Sequence, residues 1–226
     1  MTLAELEAQV VECRRCPRLV AWREQVARER RASFAHQEYW GRPVPGFGDP
    51  AARVLVYGLA PAAHGGNRTG RVFTGDRSGD WLFAAMHRAG FANQPTSTGP
   101  DDGLELDDAW IAAAVRCAPP ANRPTPEERD TCLPWSVREL ELLPRIRVVV
   151  CLGGFAWDAA LRLRAAAGLE NPRPRPRFGH DVLFDPGDAL PLLGCFHPSQ
   201  QNTFTGKLTE GMMEAVFAHA RALVER

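Results

Sequence analysis

Lysine is nearly absent from this chain: of its 27 basic residues Lys207 is the one lysine, and all the others are arginines. With no lysine at the end of a Gly-rich loop, there is no Walker-type phosphate cradle. Nor does an amine stand where Schiff-base chemistry needs one. Net charge is missing too, at a formal zero, so no bulk basic field argues for nucleic acid. Long apolar runs are absent, which leaves nothing to span a bilayer. The opening residues MTLAELEAQV lack the basic and apolar regions of a signal peptide, and the chain is expected to be cytoplasmic.

What remains is an ordinary globular composition, 45% hydrophobic over 226 residues. A chain of that length buries a full core, and its organisation predicts one α/β domain over residues 1–226 with an N-terminal helical extension over 1–38. In a cytoplasmic setting the six cysteines read as metal ligands or buried thiols rather than disulfides. The arginine skew suits phosphate recognition, although genome base composition produces the same skew.

Taken in order, the spacing predicts helices from Leu3 to Val11 and from about Leu19 to Arg31, separated by Cys13-Arg14-Arg15-Cys16-Pro17. After a Pro/Gly-rich lead-in over 39–50, the short apolar run from Arg53 to Tyr57 reads as a buried strand. A helix is expected from Trp81 to Ala89 and a second strand from Trp110 to Arg116. Thr125 with Pro126 and two acidic residues marks the start of a helix running to about Leu143. A third strand is expected from Arg147 to Leu152 with a helix to about Ala167, then a fourth strand from Leu190 to Phe196 and a last helix from about Leu208 to Leu223. Strands alternating with helices imply a parallel sheet covered on both faces.

Two loops leave the carboxyl ends of these strands, where open α/β sheets bind ligands. The first, Gly58 to Asp76, reads GLAPAAHGGNRTGRVFTGD and holds five glycines together with His64, Asn67, Arg68, Arg71, Thr74 and Asp76. A structureless connection of this length in a compact domain is usually functional. The alternative is a flexible surface connection, with Asp76 serving only as a helix N-cap. The second loop, HPSQQNTFTGKLT from His197, puts a histidine directly at a strand end. There it can donate to a developing anion, while Ser199, Gln201 and Asn202 can hold phosphates.

Cys13 and Cys16 form a ligand hook on a turn, and Cys117 and Cys132 complete a four-thiolate set that suits an iron–sulfur cluster or a structural zinc. Scattered ligands favour a cluster, and spacing alone leaves zinc open. Were Cys132 merely a core thiol, the site would be incomplete. Cys151 and Cys195 sit in strand patterns and read as buried thiols.

Together these two long loops and four cysteines closely resemble the uracil-DNA glycosylase superfamily, in the iron–sulfur branch called family 5 or type B. The resemblance runs from Cys13 to about Thr209. It implies a three-layer α/β/α sandwich around a four-stranded parallel sheet, with a structural 4Fe-4S cluster on the four cysteines. It also implies excision of uracil, with hypoxanthine and xanthine among other deaminated bases, from DNA without strand cutting. Phe73 would stack on the extruded base, His197 would face the base carbonyl beside the scissile bond, and Asn122 is a candidate for reading the base edge.

Many superfamily members carry Asp, Asn or Glu two residues after the first glycine of the motif to orient water, where this chain has Ala60. Family 5 shares that gap, and Asp76 is the carboxylate available for the role. Ala60 also leaves room in the base pocket, which fits a range wider than uracil. Relatives of family 4 carry a base-reading Asn four residues before the third cysteine, where this chain has Ala113. Arg68, Arg71 and Lys207 are the phosphate candidates, and Phe204 is a candidate wedge for the gap left by a flipped base. Arg173, Arg175 and Arg177, in an Arg/Pro stretch, suit either a DNA flank or a solvated linker. Monomeric action on DNA is expected, with no lyase step. The competing class is a non-catalytic nucleic-acid-binding module built on a structural four-cysteine metal site. A small-molecule nucleotide hydrolase on the same frame is disfavoured by the missing Walker lysine.

Overall fold

The computed structural model describes residues 1–187 and 189–225. Two N-terminal helices, α1 (Leu3–Val11) and α2 (Pro17–Glu29), precede a short strand β1 (Phe47–Gly48) and the first core strand β2 (Val54–Gly58). There follow α3 (Gly66–Thr69), α4 (Arg77–Arg88), β3 (Ala109–Ala113), α5 (Pro126–Leu142), β4 (Val148–Leu152) and α6 (Gly154–Ala166). The chain closes with β5 (Leu183–Phe184), β6 (Leu192–Cys195), α7 (Gln200–Phe204) and α8 (Glu210–Val224).

The sheet has six strands in the order β1-β3-β2-β4-β6-β5, not the four expected. Its centre is the expected parallel set β3-β2-β4-β6. The additional strands, β1 and β5, are two-residue antiparallel edges, too short to show any period in the sequence. Side chains alternate across the sheet as the pleat requires. Val54, Val56, Ile111, Val150 and Leu193 pack beneath Leu82, Met86, Val216 and Phe217 of α4 and α8. On the other face, Leu55, Tyr57, Trp110, Val149 and Leu192 meet Trp157, Leu161 and Leu163 of α6. The result is three layers, α/β/α.

Helix starts follow their caps. At α5, Thr125 and Glu128 form a reciprocal capping box with Pro126 at the first position, as the sequence indicates. Helix α4 begins four residues before the expected Trp81, because Asp76 Oδ1 accepts from Gly79 N at 3.1 Å and extends the first turn. Strand β3 ends at Ala113 rather than Arg116, although Ala114 N and Val115 N still donate to Gly58 and Leu59 carbonyls. Beyond that point Cys117 turns towards the N-terminal helices, where Leu19 packs on Val115 and Cys117. Leu6 and Val10 of α1 pack on Cys132 and Trp135 of α5.

The Arg/Pro stretch is not a loose linker. Asn171 Nδ2 donates to Leu161 O at 2.7 Å and Trp157 Nε1 donates to Pro176 O at 3.0 Å. The stretch therefore runs back alongside α6 as a strap with Arg173, Arg175 and Arg177 exposed. No helix among the described residues is long and apolar enough to cross a membrane.

Candidate active site and cysteine pocket

Because β2 lies between β3 and β4, the strand order reverses at its carboxyl end, the position where open sheets form a ligand crevice. The segment that starts there at Gly58 is not a flexible connection. It contains α3, and Asn67, Arg68, Arg71, Val72, Phe73 and Thr74 are all buried. A cleft of about 650 Å³ opens above it, lined by Ala60, Phe73, Asp76, Asn122, His197, Ser199 and Gln201, among others. Residues far apart in sequence thus meet at one place. Two of the lining residues, Arg77 and Arg123, carried no signal in the sequence beyond their charge.

Phe73 is held at φ 52, a left-handed conformation that costs a bulky residue about 1–3 kcal/mol and persists only where the surroundings enforce it. Two glycines make that possible. A side chain at Gly58 would meet Phe73 Cζ at 2.8 Å, and one at Gly79 would overlap the Phe73 carbonyl oxygen. The ring lies 6.0 Å from that of His197, tilted by 39°.

Asp76 is both an N-cap and a cleft residue. Oδ1 holds Gly79 N, and Oδ2 lies directly over Gly65, which has no side chain to displace it. Burial raises the Asp76 pKa above the usual carboxylate range, against the opposing Gly79 and Ser78 N–H bonds. His197 keeps a partly exposed edge on the cleft, and the packing around it lowers its pKa to about 4. It is therefore a neutral imidazole at physiological pH. Asn202 Nδ2 donates to the His197 carbonyl at 2.8 Å, which anchors the loop that carries the imidazole.

Two arginines expected to meet phosphate are instead internal braces. Arg68 spans the loop, donating to His64 O at 2.8 Å, Gly75 O at 2.9 Å and Gln37 Oε1 at 2.6 Å. Arg71 donates to Thr74 Oγ1, Ser97 Oγ and Pro100 O, and pairs with Asp102 at 2.7 Å. Both side chains of that pair are 9% exposed. Burial opposes the Asp102 charge, but Arg71 and three backbone N–H groups bring its pKa down to about 2. Neither guanidinium is free to reach a DNA backbone. Asn202 uses one amide N–H on the His197 carbonyl and stays half-buried at the edge of the neighbouring hollow.

Ser199 caps α7 through Asn202 N, and Gln201 is exposed on the rim. Asn122 is also exposed, and it follows Ala121 in a turn where both have positive φ. Lys207 lies outside the main cleft, in a neighbouring hollow of about 240 Å³ shared with His197 and Asn202. Its Nζ sits 5.0 Å over the Phe196 ring. Phe204 is 65% exposed, with the Arg77 guanidinium 4.7 Å above it.

Beneath the cleft floor, Cys13, Cys16, Cys117 and Cys132 line one small pocket walled by Leu19, Val20, Val115 and Trp135. Ala60 packs against Leu19 and Cys117 from the cleft side, so the two sites are neighbours. The donor set is four soft sulfurs in apolar surroundings, with N–H donors turned towards them. Arg23 Nη1 donates to Cys117 Sγ at 2.9 Å and Arg116 N donates to Cys132 Sγ at 3.3 Å. Among the described residues no three His, Cys, Asp or Glu side chains converge on a single ion position. Four thiols around a shared pocket are the donor chemistry of an iron–sulfur cluster or of a structural zinc alike. Cys151 and Cys195 are fully buried in β4 and β6.

The family model described as the uracil DNA glycosylase superfamily matches residues 45–221. A type-5 uracil-DNA glycosylase of Mycobacterium bovis is 56% identical over 98% of this chain and 82% of its own length. The type-5 protein of Mycobacterium leprae is 53% identical over 98% of this chain and 96% of its own. That of Thermus thermophilus is 50% identical over 93% of both.

Proposed function

Given that the chain belongs to the uracil-DNA glycosylase superfamily, among its type-5 members, we propose that it hydrolyses the N-glycosidic bond of uracil in DNA, and of hypoxanthine and xanthine as well. The activity belongs to base excision repair, and the product is an abasic site in an uncut strand. The observation that carries this reading is the meeting of Phe73, Asp76, Asn122 and His197 around one cleft.

The target bond is unreachable in a stacked duplex, so the nucleotide must be extruded at a cost of a few kcal/mol. Stacking of the base on Phe73 returns about 1–3 kcal/mol of that. As the bond to the sugar breaks, negative charge develops on the departing base and positive charge on the sugar. His197, neutral with its pKa near 4, donates an N–H to the base carbonyl and stabilises that anion. Asp76 orients water for attack on the sugar carbon and takes its proton, a contribution of about 10²–10⁴ in rate. Asn122 reads the base edge. Ala60, with only a methyl group at the pocket wall, admits purines as well as pyrimidines.

Ser199, Gln201 and Lys207 remain as phosphate contacts, while Arg68, Arg71 and Asn202 hold the loops behind them. The exposed Phe204 is the apolar wedge for the vacated stack. The four cysteines would hold a structural 4Fe-4S cluster, which when bound supplies a rigid cross-link between the N-terminal helices and the segment around Cys117. Zinc is the less favoured occupant, since ligands scattered this widely along the chain suit a cluster. The helices over 1–38 accordingly belong to the same domain as the sheet.

The test is a single-turnover assay on end-labelled duplexes with one central uracil, hypoxanthine or xanthine, treated with alkali to reveal abasic sites. The reading expects cleavage of all three and a sharp fall in Asp76→Asn and His197→Ala. Uracil-only cleavage would remove the wider base range. Tight DNA binding with no abasic product would leave only a non-catalytic binding module.

A further inference from the structure

Arg23 of α2 is 2% exposed, and no carboxylate forms an ion pair with it among the described residues. A guanidinium does not deprotonate in proteins, and leaving a buried charge unpaired costs several kcal/mol. Its partners here are sulfur and a carbonyl. Nη1 donates to Cys117 Sγ at 2.9 Å and Nη2 donates to Cys13 O at 3.1 Å. The neighbouring Glu24 carboxylate feels this charge but pairs with Arg14. Four neutral thiols would add no compensation, whereas four thiolates around an iron–sulfur core carry net negative charge.

The same residue reaches the catalytic segment. Its carbonyl accepts from Asn67 Nδ2 at 3.1 Å, and Asn67 is fully buried within the loop that carries Phe73 and Asp76. The Asn67 carbonyl in turn accepts from Gly41 N at 3.0 Å.

Resting on the cluster reading above, we propose that Arg23 is the counter-ion and orienting donor of the iron–sulfur cluster at Cys117, and that its carbonyl ties the cluster-bearing helix to the catalytic loop. Arg23 is a positioning residue, acting through Cys117 on one side and Asn67 on the other. Partners that orient metal ligands typically account for 10–100-fold in metal affinity.

The test uses the full chain, purified with its iron and sulfide content measured, beside Arg23→Met and Arg23→Lys. In Arg23→Met the cluster should be lost to a chelator 10–100-fold faster, and its midpoint potential should move downwards, because removing a cation disfavours the added electron. Arg23→Lys should recover part of both effects by restoring charge without the planar fork. If Arg23→Met does not fold, wild-type protein is made with arginine carrying ¹⁵N only in its guanidinium and reduced by one electron from dithionite. Pulsed electron paramagnetic resonance should then detect a guanidinium nitrogen coupled to the cluster that is absent from identically labelled Arg23→Lys. That comparison is needed because Arg15 and Arg116 also line the pocket; the Arg116 backbone donor, unlabelled, stays silent. Wild-type release rate and potential in Arg23→Met, or no coupling in the labelled protein, overturns the proposal while the cluster reading stands. Purified chain without iron or sulfide overturns both.

Discussion

Replacing Gly65 with alanine tests the placement of Asp76 without touching its charge. An added Cβ would overlap Asp76 Oδ2 and stand 2.9 Å from Cγ and 3.1 Å from Cβ of the same residue. Because the contact extends to Asp76 Cβ, turning the carboxylate about its own bonds does not relieve it. Separations of about 3.5 Å need only about 0.4 Å of retreat at Cβ but about 1.5 Å at Oδ2, so the carboxylate oxygens shift by roughly 1 Å or more. A displacement of that size at a reacting centre costs about 10²-fold, and loss of the whole general-base share costs about 10²–10⁴-fold. Gly65→Ala should thus lower the single-turnover rate on uracil DNA by about 10²–10³, equivalent to ~3–4 kcal/mol. DNA binding should be nearly unchanged. The Asp76 cap on α4 weakens as well, by about 1 kcal/mol, which lowers Tm by only ~2–4 °C in a chain of this size. Gly99→Ala, with nothing within 4 Å of the new methyl, is the matched control and should behave as wild type. A folded Gly65→Ala enzyme cleaving at the wild-type rate would refute the assignment of water orientation to Asp76.

Two further outcomes follow from the buried charges. His197, depressed from an ordinary 6.5 to about 4, binds its proton more weakly in the folded chain than in the unfolded one. Stability should therefore be unaffected by this group above pH 6.5 and fall as pH drops from 6.5 to 4, by at most about 3 kcal/mol given its partly exposed edge. Imidazole NMR titration of His197 with a midpoint near 6.5 would contradict this. Asp102 behaves oppositely, with its pKa lowered from 3.8 to about 2 by its donors. It contributes about 2 kcal/mol above pH 4 that is lost as pH falls through 2. Asp102→Asn should abolish that acid limb in denaturant titrations and also slow catalysis, because Arg71 then loses its hold on the Phe73 segment. An unchanged acid limb in the variant would show that the pair carries no such stability.

Much of this molecule is legible in its sequence because the signals are local. Buried strands such as Val148–Leu152 are apolar runs of a length that only a covered sheet accommodates, and Thr125-Pro126 marks a helix start by backbone chemistry alone. The cysteine hook at Cys13 and Cys16, and a histidine directly after a strand, are equally short-range patterns. Residue types and order therefore determined the α/β class, the parallel centre of the sheet and the two loops that carry the chemistry.

Tertiary structure decided which way the polar side chains of those loops face. Arg68 and Arg71 sit in a Gly-rich loop that reads as solvated and phosphate-seeking. Their partners Gln37 and Asp102 lie about thirty residues away in sequence, and only the folded path brings these together and turns the guanidinium groups inward. The same holds for Asp76, which the sequence offers as either cap or catalyst. The glycine beneath Oδ2 leaves room for the cap and for the proposed catalytic role in one carboxylate, with one oxygen on the helix and the other facing Gly65. Edge strands of two residues are invisible for a simpler reason: a period needs more than one repeat to be seen. Arg23 is the clearest case, a lone charge in an amphipathic helix until folding sets it against Cys117 and Asn67, since burial and partnership are properties of the assembled core and not of any local stretch.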